Sequence, residues 1–144
     1  MSVVISGSGL YTPSHSISND ELVKAFNQYV EEYNTENSAA IDAGELEALK
    51  PSSSEFIEKA SGIKRRYVMY KDGALDSKTM MPQVPERSND ELSVQAEMAI
   101  AAAKQAMQAA NKTAEDIVLI LVACSYTQRA YPTIAIEVQK ELGC

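Results

Sequence analysis

Residues 117–123 have the sequence IVLILVA, an apolar run that no polar residue interrupts. A strand with one solvated face alternates apolar and polar side chains, whereas this run would present apolar side chains to both faces. Such runs are typical of a parallel sheet that helices cover on both sides. We therefore predict a buried strand at Ile117–Ala123, in a protein of the α/β class.

Helical patterns flank this run on both sides. Glu91–Asn111 is the longer of the two, and the mostly small side chains on one of its faces would let it pack closely against a sheet or another helix. Pro132 suits the first turn of a second helix that continues to Leu142, and Gly143 is a natural stop. The face of small side chains consists of Leu92, Ala96, Ala99, Ala103, Ala106 and Ala110.

The first half of the chain contains a clear helix start. Ser18 and Glu21 form a capping-box pattern, in which each residue satisfies a free N–H group of the first turn. The same pattern recurs at Ser88 and Glu91, before the long helix. The remaining predicted elements are a strand at Val3–Ser6, a short helix at Ile41–Leu49, a helix at Ser52–Ala60 ended by Gly62, a strand at Lys64–Tyr70 and an extended loop at Lys71–Arg87.

Two early glycines, Gly7 and Gly9, invite comparison with a dinucleotide-binding loop. That motif needs a third glycine where Thr12 stands and a helix that opens through Pro13. We therefore interpret the two glycines as residues of a tight turn.

Composition excludes several classes of function. The chain of 144 residues is the size of one domain, with 45% apolar and 23% charged residues. A net charge of -7 argues against nucleic-acid binding, which needs a basic surface. No apolar run approaches the roughly 20 residues of a membrane span, and the N-terminus lacks the features of a signal peptide. Cys124 and Cys144 form neither a metal-binding pattern nor a disulfide framework, so a reduced, cytoplasmic setting is expected.

One basic group stands out on this acidic chain. It follows an acidic stretch and consists of Lys59, Lys64, Arg65 and Arg66. Two interpretations stay open, a solvated strand edge or loop and a local site for an anion.

Three segments together resemble the 3-oxoacyl-[acyl-carrier-protein] synthase III family of thiolase-fold condensing enzymes. The first is the opening Ile5–Pro13, and the second is Ser54–Ile57 followed by Ser61–Arg66. The third contains, in order, Ala114-Glu115-Asp116-Ile117, Cys124-Ser125, Ala130-Tyr131-Pro132 and Leu142-Gly143. Because these segments spread over almost the whole chain, the resemblance is specific to the family, although no single segment would be.

The resemblance implies a layered thiolase fold (αβαβα) of two similar halves. Residues 1–144 would be most of the first half, an incomplete N-terminal thiolase-like domain. In the family, a cysteine takes an acyl group from acyl-CoA and condenses it with malonyl-acyl carrier protein, with loss of carbon dioxide. That cysteine and its histidine and asparagine partners lie beyond the last residue given, and Cys144 comes too early to be the nucleophile. The chain by itself is therefore expected to be inactive, with no catalytic residue and no metal site.

The resemblance also assigns residues to the CoA site. Phe56 takes the place of a tryptophan that stacks on the adenine of CoA, although an ordinary apolar anchor of its helix is the alternative. A family arginine corresponds to Ala60, and Lys59 or Lys64 could replace its contact. Arg66 matches a further family arginine, as either a phosphate contact or part of a structural salt bridge.

Two more residues are assigned to the acyl pocket and the dimer interface. Tyr131 takes the place of a phenylalanine that closes the acyl pocket of the partner subunit, with a core aromatic as the alternative. Cys124 corresponds to a threonine-type position and is expected to be an inert, packed thiol after a buried strand. His15, the single histidine, is expected to lie solvated in a loop.

Two segments are longer than their counterparts in the compact acetyl-CoA-using members of the family: residues from about 27 to 50 and from about 71 to 87. Both insertions flank the expected CoA site, and we expect them to favour a primer longer than acetyl.

The implied partners are acyl-CoA and malonyl-acyl carrier protein, as substrates, and a second copy of the chain in a homodimer. Neither nucleic acid nor a membrane is implied, and no resident cofactor. Two alternatives stay open: another thiolase-superfamily acyltransferase, and a non-catalytic half-fold that serves as a binding or dimerisation module.

Overall fold

A computed structural model of the protein describes residues 4–144. It contains helices and one small sheet, a content that agrees with the α/β class. The described elements are β1 (His15–Ser18), α1 (Asn19–Glu36), α2 (Ser38–Asp42), α3 (Ser54–Ser61), β2 (Arg65–Val68), α4 (Val94–Ala110), a 3-10 turn (Ala114–Asp116) and α5 (Ile134–Leu142). Among the residues described, no helix is long and apolar enough to cross a membrane.

The chain divides into two units. The first consists of Pro13–Pro85, and the second consists of the chain up to Thr12 together with Glu86–Cys144. β1, β2 and α1–α3 belong to the first unit, whereas α4 and α5 belong to the second.

In the first unit, β1 pairs with β2 in antiparallel register, from His15 opposite Val68 to Ser18 opposite Arg65. Ser18 ends β1 and also caps α1: its hydroxyl oxygen accepts from the N–H of Glu21, whose carboxylate accepts from the N–H of Ser18. The predicted capping box is therefore confirmed. So is the predicted end of α3, where Gly62 adopts the left-handed conformation with φ of 71°.

The core of the second unit lies between α4 and α5. Ala96 and Ile100 of α4 pack with Ile134 and Val138 of α5, and all four are buried. The predicted helix after Pro132 is confirmed, although α5 begins at Ile134. The small side chains of α4 thus allow the close packing that the sequence predicts.

The two early glycines serve this packing and not a tight turn. A Cβ atom at Gly7 would collide with the backbone of Ala106, and one at Gly9 with the carbonyl oxygen of Ala102. Neither glycine has a positive φ. The segment therefore lies directly against α4. Gly7 and Gly9 are needed because a side chain would collide with this helix, so the interpretation of them as residues of a tight turn is wrong.

The long helix begins later than predicted. Ser93, and not Ser88, is the N-cap of α4, and its hydroxyl accepts from the N–H of Ala96. At Ser88 the capping pattern closes only a turn, in which Glu91 N–H donates to the Ser88 carbonyl. The helix begins at Ser93 because this serine is buried and donates hydrogen bonds to Glu137 of α5. Ser88 is bonded to only one of the described residues, Glu91 in its own turn.

The predicted strand at Ile117–Ala123 does not form in the part of the chain that the structure describes. Ile120 packs against the α4–α5 core, but Val118 is 96% exposed and Leu121 85% exposed. A strand is held by hydrogen bonds to its neighbours, and no described segment pairs with this run. The described sheet is two-stranded and antiparallel, so the predicted parallel sheet is not observed there.

Other differences are local. The described part of the predicted strand Val3–Ser6 is not a strand, and Val3 lies outside the described residues. The short helix predicted at Ile41–Leu49 lies earlier, at Ser38–Asp42. His15 begins a strand and is not in a loop, but its side chain is exposed as expected. The strand at Lys64–Tyr70 is confirmed at Arg65–Val68, and residues 71–87 contain neither helix nor strand.

Candidate functional site

A groove in the first unit is lined in part by Phe56, the residue for which the family resemblance implies adenine stacking. Phe56 lies on α3 with 66% of its surface exposed, so its ring can be reached by a ligand. The groove is lined by Phe26, Lys50, Pro51, Ser52, Ser53 and Phe56. An exposed aromatic face beside a lysine is a combination that suits a planar, anionic ligand.

Two asparagines of α1 hold one wall of this groove. The side-chain amide of Asn34 donates to the Leu49 carbonyl and accepts from the Leu49 N–H, at 2.9 Å in both directions. Asn27, about two helical turns earlier, binds Ser52 in the same way at 3.0 and 2.8 Å. We call these four hydrogen bonds the asparagine clamp. Because it fixes the residues on both sides of Lys50 and Pro51, the clamp holds this extended segment alongside α1.

A second, apolar pocket adjoins the groove and shares Phe26 and Ser52 with it. It is lined by Leu22, Val23, Phe26, Ser52, Ile57 and Met80. Met80 comes from the loop of residues 71–87, so this loop contributes directly to the pocket.

Hydrogen bonds within the loop hold it in shape. Gln83 N–H donates to the Asp72 carbonyl at 2.7 Å, and Met80 N–H donates to the Asp76 carbonyl at 2.8 Å. The Asp76 carboxylate accepts from the N–H groups of Thr79 and Lys78, which lower its pKa.

The basic group does not form one site. Lys64 pairs with Glu58 at 3.1 Å, and Lys59 lies beside the same glutamate. Arg66 donates to the side-chain oxygen of Asn19 at 2.9 Å, and Asn19 is buried at the start of α1. Arg66 therefore has a structural contact, although with an amide and not in the salt bridge considered above.

Cys124 and Tyr131 lie in the second unit, and both are exposed. The thiol of Cys124 is within 2.7 Å of the Tyr126 carbonyl oxygen. Cys124 is thus not packed after a buried strand, and that expectation is wrong because the run before it is itself exposed. The assignment of Cys124 and Tyr131 to an acyl pocket stays a prediction.

A buried carboxylate in the second unit was not predicted. Glu137 accepts hydrogen bonds from the N–H and hydroxyl of Ser93, at 3.0 and 2.6 Å. Arg129 lies 3.9 Å from the same carboxylate and donates to the carbonyl oxygens of Asn89 and Glu91. This network ties the segment before α5 to the start of α4, so it supports structure and offers no open site.

Sequence reasoning also missed Lys50 and the asparagine clamp. Asn27 and Asn34 look like ordinary polar residues of a helix, and their partners lie 25 and 15 positions away. The spacing of two asparagines by about two turns on one helix face was the available signal. In residues 4–144, no cluster of histidine, cysteine or acidic side chains is arranged to hold a metal ion.

Comparison with known proteins agrees with the resemblance found in the sequence. The chain is 58% identical, over 84% of its length, to a Beta-ketodecanoyl-[acyl-carrier-protein] synthase of Pseudomonas aeruginosa. It is 29% identical to two proteins named Beta-ketoacyl-[acyl-carrier-protein] synthase III, over 97% of its length for Granulibacter bethesdensis and 99% for Caulobacter vibrioides. No family model matches the chain.

The chain spans about a third of the length of these relatives: 35% of the first, 30% of the second and 31% of the third. By its sequence, the chain belongs to the beta-ketoacyl-[acyl-carrier-protein] synthase III family.

Proposed function

We propose that the protein acts in a decarboxylative Claisen condensation of an acyl-CoA primer with malonyl-acyl carrier protein, in fatty-acid biosynthesis. The observation that carries this proposal is the 58% identity to a Beta-ketodecanoyl-[acyl-carrier-protein] synthase over 84% of the chain. A cysteine thiolate first attacks the acyl-CoA thioester, takes the acyl group and releases CoA. Malonyl-acyl carrier protein then loses carbon dioxide, and the resulting carbanion forms the new carbon–carbon bond while the thiolate leaves. We place this cysteine and its histidine and asparagine partners outside the 144 residues, so this part alone is inactive.

The proposed primer is an octanoyl group. A 3-oxodecanoyl product has ten carbons, of which malonate supplies two after decarboxylation, so the primer supplies eight. The name of the relative from Pseudomonas aeruginosa supports this length. The position of Met80 in an apolar pocket beside the Phe56 groove supports a role for the longer segments, residues 27–50 and 71–87, in shaping the site.

The proposed architecture is a thiolase-like layered fold, of which residues 1–144 form an incomplete N-terminal domain. In that fold Ile117–Ala123 would be covered on both faces. Phe56, Lys64 and Arg66 are the proposed CoA-binding residues, of which Phe56 is supported best because its ring is exposed in a groove. Cys124 and Tyr131 are proposed to lie near the acyl pocket of a homodimer. The proposed location of the protein is the cytoplasm.

The test is a condensation assay with the whole gene product, malonyl-acyl carrier protein and either octanoyl-CoA or acetyl-CoA. Mass spectrometry of the carrier protein identifies the acyl group that is formed. We expect 3-oxodecanoyl-acyl carrier protein, with a kcat/KM for octanoyl-CoA at least tenfold above that for acetyl-CoA, about 1.4 kcal/mol of discrimination. Equal use of the two primers would contradict the octanoyl assignment, and the absence of any 3-oxoacyl product would contradict the condensation itself.

A further inference from the structure

Lys50 is the lysine that lines the Phe56 groove. Its side chain is exposed and lines the groove together with Phe56. Within residues 4–144, no carboxylate pairs with the Lys50 ammonium group and no hydrogen bond uses it. Lys64, by contrast, is paired with Glu58, and Lys59 lies beside Glu55 and Glu58.

The backbone around Lys50 is fixed although its side chain is free. The asparagine clamp binds Leu49 on one side and Ser52 on the other, through four hydrogen bonds of 2.8 to 3.0 Å. Pro51 further restricts the backbone between them. An ordered backbone reduces the entropy that a ligand contact at Lys50 would cost, so the position is preorganised for binding.

Charge decides which ligand group suits this position. The chain carries a net charge of -7, so an anionic ligand is repelled over most of the surface and needs a local cation. Lys50 is the one cation among the residues that line the groove, whereas Lys64 pairs with Glu58 and Lys59 lines a separate pocket with Glu55 and Glu58. Lys50 is therefore the cation of the groove that is available to a phosphate.

We infer that Lys50 binds a phosphate group of acyl-CoA while the adenine ring lies on Phe56. This inference rests on the proposed function and adds Lys50 to the proposed CoA-binding residues Phe56, Lys64 and Arg66. Lys50 belongs to the longer segment of residues 27–50, so that segment supplies both the cation and, through Asn27 and Asn34, the support that positions it.

The experiment compares two thioesters in the whole gene product: octanoyl-CoA, and octanoyl-pantetheine, which lacks the nucleotide and its phosphates. In Lys50→Gln we expect KM for octanoyl-CoA to rise about three- to tenfold, as for loss of one charge-assisted hydrogen bond. KM for octanoyl-pantetheine should not change. The matched control is Lys24→Gln, which removes an exposed lysine of α1 outside the groove and should leave both KM values unchanged.

The other possible results contradict either the inference about Lys50 or the proposed function. An unchanged KM for octanoyl-CoA in Lys50→Gln overturns the inference while the condensation stands. An equal rise for both thioesters also overturns it, because Lys50 would then not contact the nucleotide. If the unaltered protein condenses neither thioester, the proposed function fails. Calorimetric titration with CoA alone then tests Lys50 directly: binding that is weakened by Lys50→Gln supports the inference, and binding that is not weakened overturns it.

Discussion

Glu21 shows how one side chain links a helix start to a distant loop. Its carboxylate accepts from Ser18 and pairs with Lys71 at 2.6 Å. The hydrogen bond from Lys71, followed by those from Ser18, lowers the pKa of Glu21 from 4.5 to about 2. A carboxyl group whose pKa is lower in the folded state stabilises the fold when it is ionised, above the pKa of 4.5 that it has when unfolded. That contribution is lost as the pH falls from about 5 towards 2.

Glu21→Gln tests this contribution, because glutamine keeps a capping oxygen but cannot pair with Lys71 as an ion. We expect a lower Tm than that of the unaltered protein at pH 6, with the difference shrinking as the pH falls towards 2. Thermal unfolding followed by circular dichroism at several pH values measures it. A difference in Tm that stays constant over this range would show that the ion pair does not stabilise the fold. Asp20→Asn, next to Glu21 and bonded to Ser54, is the control for a change of charge at this helix end.

At the scale of elements, two serines only five residues apart, Ser88 and Ser93, have different roles. Ser93 caps α4 and donates to the buried carboxylate of Glu137, whereas Ser88 lies in an exposed turn. Ser93→Ala should therefore lower the free energy of unfolding by about 2 to 4 kcal/mol, the sum of a lost cap and an underbonded buried carboxylate. Ser88→Ala, the matched control, should cost less than about 1 kcal/mol. Urea unfolding of the two variants measures both values, and equal losses would contradict the assignment of Ser93 as the cap.

The same comparison shows what could be predicted from the sequence and why. Ser18 with Glu21, and Gly62 after α3, gave correct helix ends because their partners lie within one turn. The start of α4 was predicted wrongly because Ser93 is selected by Glu137, 44 positions away. β1 was missed for a similar reason: its residues are mostly polar, and it forms by pairing with β2.

In the candidate site too, what could be predicted differs between a residue assigned from its own segment and a residue positioned by distant partners. Phe56 could be assigned from its local segment and its resemblance to a family position, and the structure does expose its ring in a groove. Lys50 could not, because its position depends on hydrogen bonds from Asn27 and Asn34 across the fold. The family resemblance thus predicted the aromatic residue of the candidate site, whereas the position of the Lys50 backbone depends on non-local hydrogen bonds.

At the scale of the whole molecule, the apolar run at residues 117–123 stands out because most of its large side chains are exposed. Val118, Leu119 and Leu121 are exposed, while Ile120 packs against the α4–α5 core. An exposed apolar segment with unpaired backbone groups promotes association with other chains. The chain spans only about a third of the length of these relatives, so the relatives have additional residues that are available to cover such a segment.

We therefore predict opposite effects of one double variant in two contexts. In the 144-residue chain alone, Val118→Lys with Leu121→Lys should reduce self-association and the binding of a hydrophobic dye, because it removes exposed apolar surface. In the whole gene product, the same variant should lower Tm by more than about 10 °C, because it would bury two charges in a covered strand. Gln108→Lys with Ala109→Lys adds the same charge at exposed positions of α4 and should have little effect in either context. Sedimentation velocity, dye fluorescence and thermal unfolding measure these outcomes. A whole product that tolerates the Val118 and Leu121 changes would show that the run stays exposed there, and the layered thiolase-like fold would then lose its central strand.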